Sequence, residues 1–284
     1  MASEERDYMI LIVSHGRADN VKTLECFKKC GYTGDWRIVI DDEDPQGTEY
    51  KRRYGDKVIE FKKSDYDWVD TCDLIPNRGG VVYARNAVND IAKQLDISYY
   101  AVFDDDYIDF RFIVEHAAYL RHAPCEYLDD VFDAIFDFLD ESGMDCVACA
   151  QNGDFIGGLN SGNLGVPPRR KLMNTFFCRT DSRLYFQGRA NEDVTLYTLD
   201  GTRGMLFITL FSVAVCPSMT QKLDGGMSDI YRDWGTYPKS FYTIMQVPSA
   251  VKISVVGDKH PRIHHSAKQD NYAPCILSER WKCK

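Results

Sequence analysis

Apolar residues in this chain come in short runs separated by longer amphipathic stretches, the pattern of an α/β protein. Residues 8–13 (Tyr-Met-Ile-Leu-Ile-Val) are apolar without alternation, which predicts a strand buried on both faces, as in a parallel sheet. A polar loop, Ser14-His-Gly-Arg-Ala-Asp-Asn20, follows. Residues 21–30 then place apolar side chains at helical spacing up to Gly31, predicting a helix with Asn20 as its N-cap. Strands are predicted at 36–40 and 58–61, separated by the polar stretch around Lys51-Arg-Arg53. A helix over 83–95 leads into the apolar run Tyr99-Tyr-Ala-Val-Phe103. Alternating strands and helices imply a mostly parallel central sheet flanked by helices, with functional loops at the strands' carboxyl ends.

The second half is less regular. Residues 128–142 alternate Phe, Ile and Leu with acids at helical spacing, an amphipathic helix. Cys146-Val-Ala-Cys149 has the spacing of a zinc knuckle or redox pair, but no second pair accompanies it and it lies in an apolar run, so it reads as buried strand. Residues 157–168 are rich in Gly, Asn and Pro and predict a mobile or substrate-facing loop. A short helix starting at Glu192 and strands at 205–209 and 251–256 complete the expected core. With no repeat and no low-complexity linker, one domain is the economical reading, divided into a nucleotide-binding half (1–110) and an acceptor-binding half (111–284).

Composition narrows the function. The chain has 284 residues, 44% hydrophobic and 13% aromatic, enough for a sizeable core. A formal net charge of −9 argues against a generally basic nucleic-acid coat protein and leaves room for a local basic patch. No apolar run approaches the roughly 18 residues of a membrane span, and the charged start is no signal peptide, so a soluble intracellular protein is expected. Ten cysteines in that setting point to reduced thiols.

The chemistry gathers at three consecutive carboxylates, Asp104-Asp105-Asp106, at the mouth of a buried strand. Charge there is costly unless a cation or hydrogen bonds neutralise it, and grouped oxygen ligands suit Mg²⁺ or Mn²⁺ completed by substrate phosphates. An EF-hand loop is excluded because ligands do not alternate and its glycine is missing. Ser14, Gly16 and Arg17 follow the first strand, where a nucleotide's base and phosphates sit in such folds, and the Arg17 guanidinium suits a diphosphate. There is no Walker A lysine and no Gly-x-Gly-x-x-Gly, so neither ATPase nor dinucleotide binding is indicated. Asp41 and Asp42 end the second strand, where an acid could meet a base edge or ribose hydroxyl. Asn77-Arg78-Gly-Gly80 and Ala84-Arg85-Asn86 precede the aspartates and could present Arg78 and Arg85 to the same cleft, or simply be solvated surface. Asn191-Glu192-Asp193 reads equally as an N-cap with acids in the first helical turn or as a carboxylate base for an acceptor hydroxyl. His264 and His265 are candidate metal ligands. Adjacent on an extended segment, they should point to opposite faces, so at most one should ligate.

The loop at 14–20, the carboxylate motif, Arg189-Ala-Asn-Glu-Asp193 and Arg262-Ile-His-His265 together resemble a GT-A-fold glycosyltransferase. More narrowly they resemble the TET/JBP-associated glycosyltransferases encoded largely by bacteriophages, with Arg170 to Asp181 and Pro248 to Ile253 adding to the likeness over nearly the whole chain. The resemblance implies transfer of a sugar from a UDP-sugar to a hydroxymethylated pyrimidine, 5-hydroxymethylcytosine or 5-hydroxymethyluracil, in DNA. It places Ser14, Arg17 and Asp41 near the nucleotide, and Asp104 and Asp106 on the ribose and the Mn²⁺ or Mg²⁺ ion, with His264 or His265 as a further ligand. Asp193 is then the general base of an inverting displacement, Glu192 the alternate. Asp105, in the middle of the motif, leaves open which aspartates coordinate. A polyanionic acceptor would need a local basic surface, with Arg169-Arg-Lys171 and Lys51-Arg-Arg53 as candidates, and would need its base exposed, with aromatic residues 231–242 either stacking on it or belonging to the core. A glycan or protein acceptor, or a non-catalytic nucleotide-sugar binder, are the other readings.

Overall fold

The computed structural model describes residues 7–72, 78–117, 119–161, 164, 171–218, 237–257 and 261–273. Its centre is a nine-stranded sheet. β1 (Tyr8–Val13) lies between β2 (Trp36–Asp41) and β4 (Tyr99–Asp104), both parallel to it, and β3 (Val58–Phe61) continues the parallel half beyond β2. Beyond β4 the sheet turns mixed. β8 (Phe176–Arg179) is antiparallel to β4 and to β7 (Cys146–Gln151). β9 (Phe207–Pro217) is parallel to β7, and the β5–β6 hairpin (Tyr107–His116, Tyr119–Pro124) closes the edge antiparallel to β9. The mostly parallel sheet read from the sequence is thus its N-terminal half. The antiparallel strands were missed because β5 and β6 alternate charge with apolar residues and β8 is only four residues long.

Both faces are covered, because each central strand sends alternate residues to opposite sides. Met9, Leu11, Val13, Tyr100 and Val102 pack under α3 (Val82–Gln94) and α5 (Glu192–Thr202). Ile10, Ile12, Ile38, Ile40 and Phe103 pack under α1 (Lys22–Cys30) and α4 (Leu128–Ser142), where Phe103, Phe110, Phe132, Phe136 and Phe177 form a fully buried aromatic cluster. The run at 146–149 is buried strand as expected, and the eight described cysteines are free. Among the described residues no helix is long and apolar enough to cross a membrane.

Several local expectations change. α2 (Gly47–Tyr54) occupies the polar stretch around Lys51, and the sequence hid it because Tyr50 is its only fully buried large side chain. β10 (Val251–Val256) does not complete the main sheet: it pairs with β11 (Arg262–Ala267) in a separate ribbon against α6 (Tyr237–Gln246). Short α7 (Gln269–Tyr272) follows. Asn20 does not cap α1. The N-cap position is Val21, without a side-chain cap. α1 does stop at Gly31, whose φ of 74° suits glycine and whose added Cβ would collide with the Glu126 carbonyl oxygen. Residues 73–77, 162–163, 165–170 and 231–236 lie outside the described residues, so Asn77, most of the 157–168 loop, Arg169-Arg170 and the first half of the aromatic segment are not placed.

Candidate active site

β1 is the point where the strand order reverses, with β2 to one side and β4 to the other, and the crevice above such a switch point is where open α/β sheets bind ligands. Val13 pairs with Asp104, so the loop after β1 and the triple aspartate start side by side. Asp105 turns inward. It is 3% exposed, accepts from Ser14 Oγ at 2.5 Å and from Arg17 Nη1 at 2.7 Å, and burial pushes its pKa up against the pull of Arg17. Ser14 Oγ lies 2.6 Å from the Tyr50 hydroxyl, which in turn accepts the Arg17 backbone N–H at 2.9 Å. Gly16 takes the left-handed conformation (φ 67°) and donates its N–H to Asp44, while the Ala18 N–H goes to Gln46. Tyr50, Asp44 and Gln46 therefore hold the loop, and none carried a signal beyond its place in a polar stretch.

The start of α1 is docked on the same turn. The Thr23 N–H donates to the Asp105 carbonyl and its Oγ1 to the Asp104 carbonyl at 2.6 Å, while Thr23 Oγ1 accepts the Tyr107 N–H. The positive end of the helix faces the aspartate turn, where it favours anions.

Asp106 is different. Among the described residues its carboxylate has no hydrogen-bond or ion-pair partner, and burial beside Asp104 and Asp105 raises its pKa to about 7. Asp104 accepts from Arg85 Nη2 at 3.0 Å. Arg85 is buried under Phe176 and Phe186, its other Nη donates to Glu192, and its Nε has no partner among the described residues. One guanidinium on α3 thus joins the end of β4 to the start of α5, reaching Glu192 from 107 positions away in the sequence.

Glu192 and Asp193 are both buried, and burial raises both carboxyls, Glu192 to about 7. Asp193 Oδ1 accepts the Val194 N–H at 2.7 Å. Asn191 stands at the N-cap position with φ 56° but does not cap with its side chain. Its Nδ2 donates to the Lys239 carbonyl and lies 2.9 Å from His265 Nδ1. Lys239, which the sequence did not flag, sits near Asp193, and burial lowers its pKa.

The remaining candidates lie further out. Asp41 is engaged by His15 Nδ1 at 3.0 Å and by the buried Lys63, another residue not foreseen. Burial works against its charge, but His15 and Lys63 outweigh it and hold the carboxyl below the usual range. Arg78 is exposed and pairs with Glu43 and Asp67. His264 and His265 do not splay as expected. Their rings stack with centroids 4.3 Å apart, and burial with the neighbouring His264 and Lys239 lowers the His265 pKa to about 4. Among the described residues no three His, Cys, Asp or Glu side chains converge on a metal position, so the histidines and the aspartates are not brought together.

Comparison with known proteins gives this geometry a context. The sequence profile of the TET-Associated Glycosyltransferase family matches residues 8–226, most of the chain. The protein belongs to the TET-associated glycosyltransferase family. It is accordingly a glycosyltransferase, and the match holds β1 through β9 while the β10–β11 ribbon lies beyond it. No curated protein matches the sequence. Among solved structures, glucosyl-3-phosphoglycerate synthase from Mycobacterium tuberculosis with Mg²⁺ and uridine diphosphate superposes with a TM-score of 0.50 at 9% identity, covering 92% of this chain and 88% of that one. The same enzyme with Mn²⁺ and UDP-glucose gives 0.50 at 9% identity, covering 92% and 87%. These likenesses agree with the GT-A type of fold expected from the sequence.

Proposed function

We propose that this glycosyltransferase moves a sugar from a UDP-sugar, with Mn²⁺ or Mg²⁺, to the hydroxyl of a 5-hydroxymethylpyrimidine in DNA. The observation that carries the reading is the division of labour among the three aspartates. Asp105 is consumed by Ser14 and Arg17, which leaves Asp104, held on one oxygen by Arg85, and Asp106, whose carboxylate has no partner among the described residues. A carboxylate pushed up to about 7 by burial and by its acidic neighbours fits a site completed by a divalent cation, which would restore its charge. Asp104 and Asp106 are the residues that would hold it, and when bound the ion would neutralise the departing diphosphate. His265 is kept neutral, as a ligand requires, and is the candidate to join them on substrate binding.

The chain's own groups supply the rest. The loop of Ser14, Gly16 and Arg17, the amino end of α1 and Asp41 line the nucleotide side, within the donor half (1–110). Asp193 acts as general base, taking the acceptor hydroxyl proton on its Oδ2 in an inverting displacement, because its Oδ1 is occupied by the Val194 N–H. Glu192 is held by Arg85 and so suits positioning more than proton transfer. The DNA acceptor draws its support from the family to which residues 8–226 belong.

The test is to incubate the protein with Mn²⁺, UDP-sugars and DNA containing hydroxymethylated pyrimidines, then digest the DNA and weigh its nucleosides. A gain of one sugar on the modified base is expected. Metal-dependent UDP release without that gain would move the acceptor to a glycan or protein.

A further inference from the structure

Two of the basic stretches that the sequence offered for binding a polyanion are spent or unplaced. On α2, Arg52 and Arg53 both pair with Glu49 and Lys51 pairs with Glu60, while Lys171 pairs with Asp154. α4 carries Asp129, Asp130, Asp133, Asp137, Asp140 and Glu141 and no base, so its face of the molecule repels DNA.

The β10–β11 ribbon has the opposite character. Lys252 pairs with Ser266, Ser254 with His264 and Val256 with Arg262, which puts these side chains on one face. Lys268 continues the extended strand two residues past Ser266, on the same side. Lys252, Arg262 and Lys268 are exposed, and among the described residues none has a carboxylate partner. Neither strand contains an acid. From Arg262 to Lys268 the strand runs about 20 Å at about 3.3 Å per residue, the axial length of about six base pairs. The ribbon also adjoins the candidate catalytic carboxylates, because His265 contacts Asn191, the residue before Glu192.

We propose that the β10–β11 ribbon is the docking surface for the phosphate backbone of the nucleic-acid acceptor, with Lys252, Arg262 and Lys268 as the phosphate contacts. This rests on the reading of DNA as acceptor. It assigns a partner to an element outside the family match, and it explains how a chain of net charge −9 engages a polyanion: the positive surface is local and set beside the reaction centre.

The experiment compares wild type with the double variant Lys252→Ser/Lys268→Ser, two exposed changes that alter none of the proposed donor and base residues. Fluorescence anisotropy with a labelled hydroxymethylated duplex across a salt series should show about tenfold weaker binding at low salt, with the log–log salt slope shallower by about 0.9 for each lost phosphate contact. The KM for DNA should rise, while donor KM and turnover on a free hydroxymethylpyrimidine nucleoside stay at the wild-type level. Equal affinity and equal slope in the two proteins would overturn the ribbon assignment, even where sugar transfer to DNA is intact. Wild type that pellets with phosphatidylglycerol vesicles and ignores DNA would overturn it in favour of a lipid surface. Wild type that binds DNA through these lysines but transfers no sugar would sustain the ribbon and remove the acceptor reading alone.

Discussion

At the scale of single residues, three adjacent carboxylates with the same side chain do different work because their surroundings differ. Asp105 closes a buried ion pair with Arg17, and removing one partner of such a pair strands the other charge. Asp105→Ala should therefore cost about 3 kcal/mol of stability in urea unfolding. Among the described residues the Asp106 carboxylate has no partner to lose, so Asp106→Ala should leave stability unchanged or raised and abolish metal-supported UDP binding, read by calorimetry with Mn²⁺. Asp193→Ala should keep that binding and lower the transfer rate by about 10²- to 10⁴-fold, the usual worth of a positioned base. Loss of donor affinity in the Asp193 variant alone would reverse the two roles. The sequence marked all three residues, since a carboxylate run after an apolar strand stands out in one dimension. Which aspartate turns inward was not legible, because it depends on Ser14, Arg17 and Tyr50, up to 91 positions away.

At the scale of elements, α5 shows how burial overrides local preference. Its first turn carries Glu192 and Asp193, where the helix dipole favours negative charge, yet burial raises both carboxyls. Near its other end Asp200 is 3% exposed with one oxygen unpartnered, and burial raises it to about 6 despite Arg203. A carboxyl whose folded pKa lies above its unfolded one binds its proton more tightly when folded, so its contribution is present at low pH and lost as pH rises. Stability should fall between about pH 4 and 7. Asp200→Asn should remove the part lost between about pH 4 and 6, on the order of 3 kcal/mol, as measured by denaturant midpoints across pH. The helix was legible from its acids and apolar spacing. The cost of burying them was not, since it comes from packing against α6 and α7.

At the scale of the whole molecule, the sheet is a wall between two cores, and the aromatic cluster on the α4 face anchors one of them. Phe132 touches Tyr32, Phe103, Phe110 and Phe177, contributed by elements from both halves of the chain. Phe132→Ala should cost about 3–5 kcal/mol, a large share of the about 5–15 kcal/mol that holds a domain together, and thermal unfolding should report it as a sharply lowered Tm. By itself the sequence determined the strands around the switch point, the three principal helices and the carboxylates at their ends. These rest on unbroken apolar runs, on the 3.6-residue helical period and on neighbouring side chains, which are local properties. The tertiary structure alone decided the antiparallel half of the sheet, the Arg85 bridge between Asp104 and Glu192, the buried Lys63 and the basic face of the β10–β11 ribbon. Each of these depends on strand order and register, which bring distant residues within a few ångströms and leave no mark on the spacing along the chain.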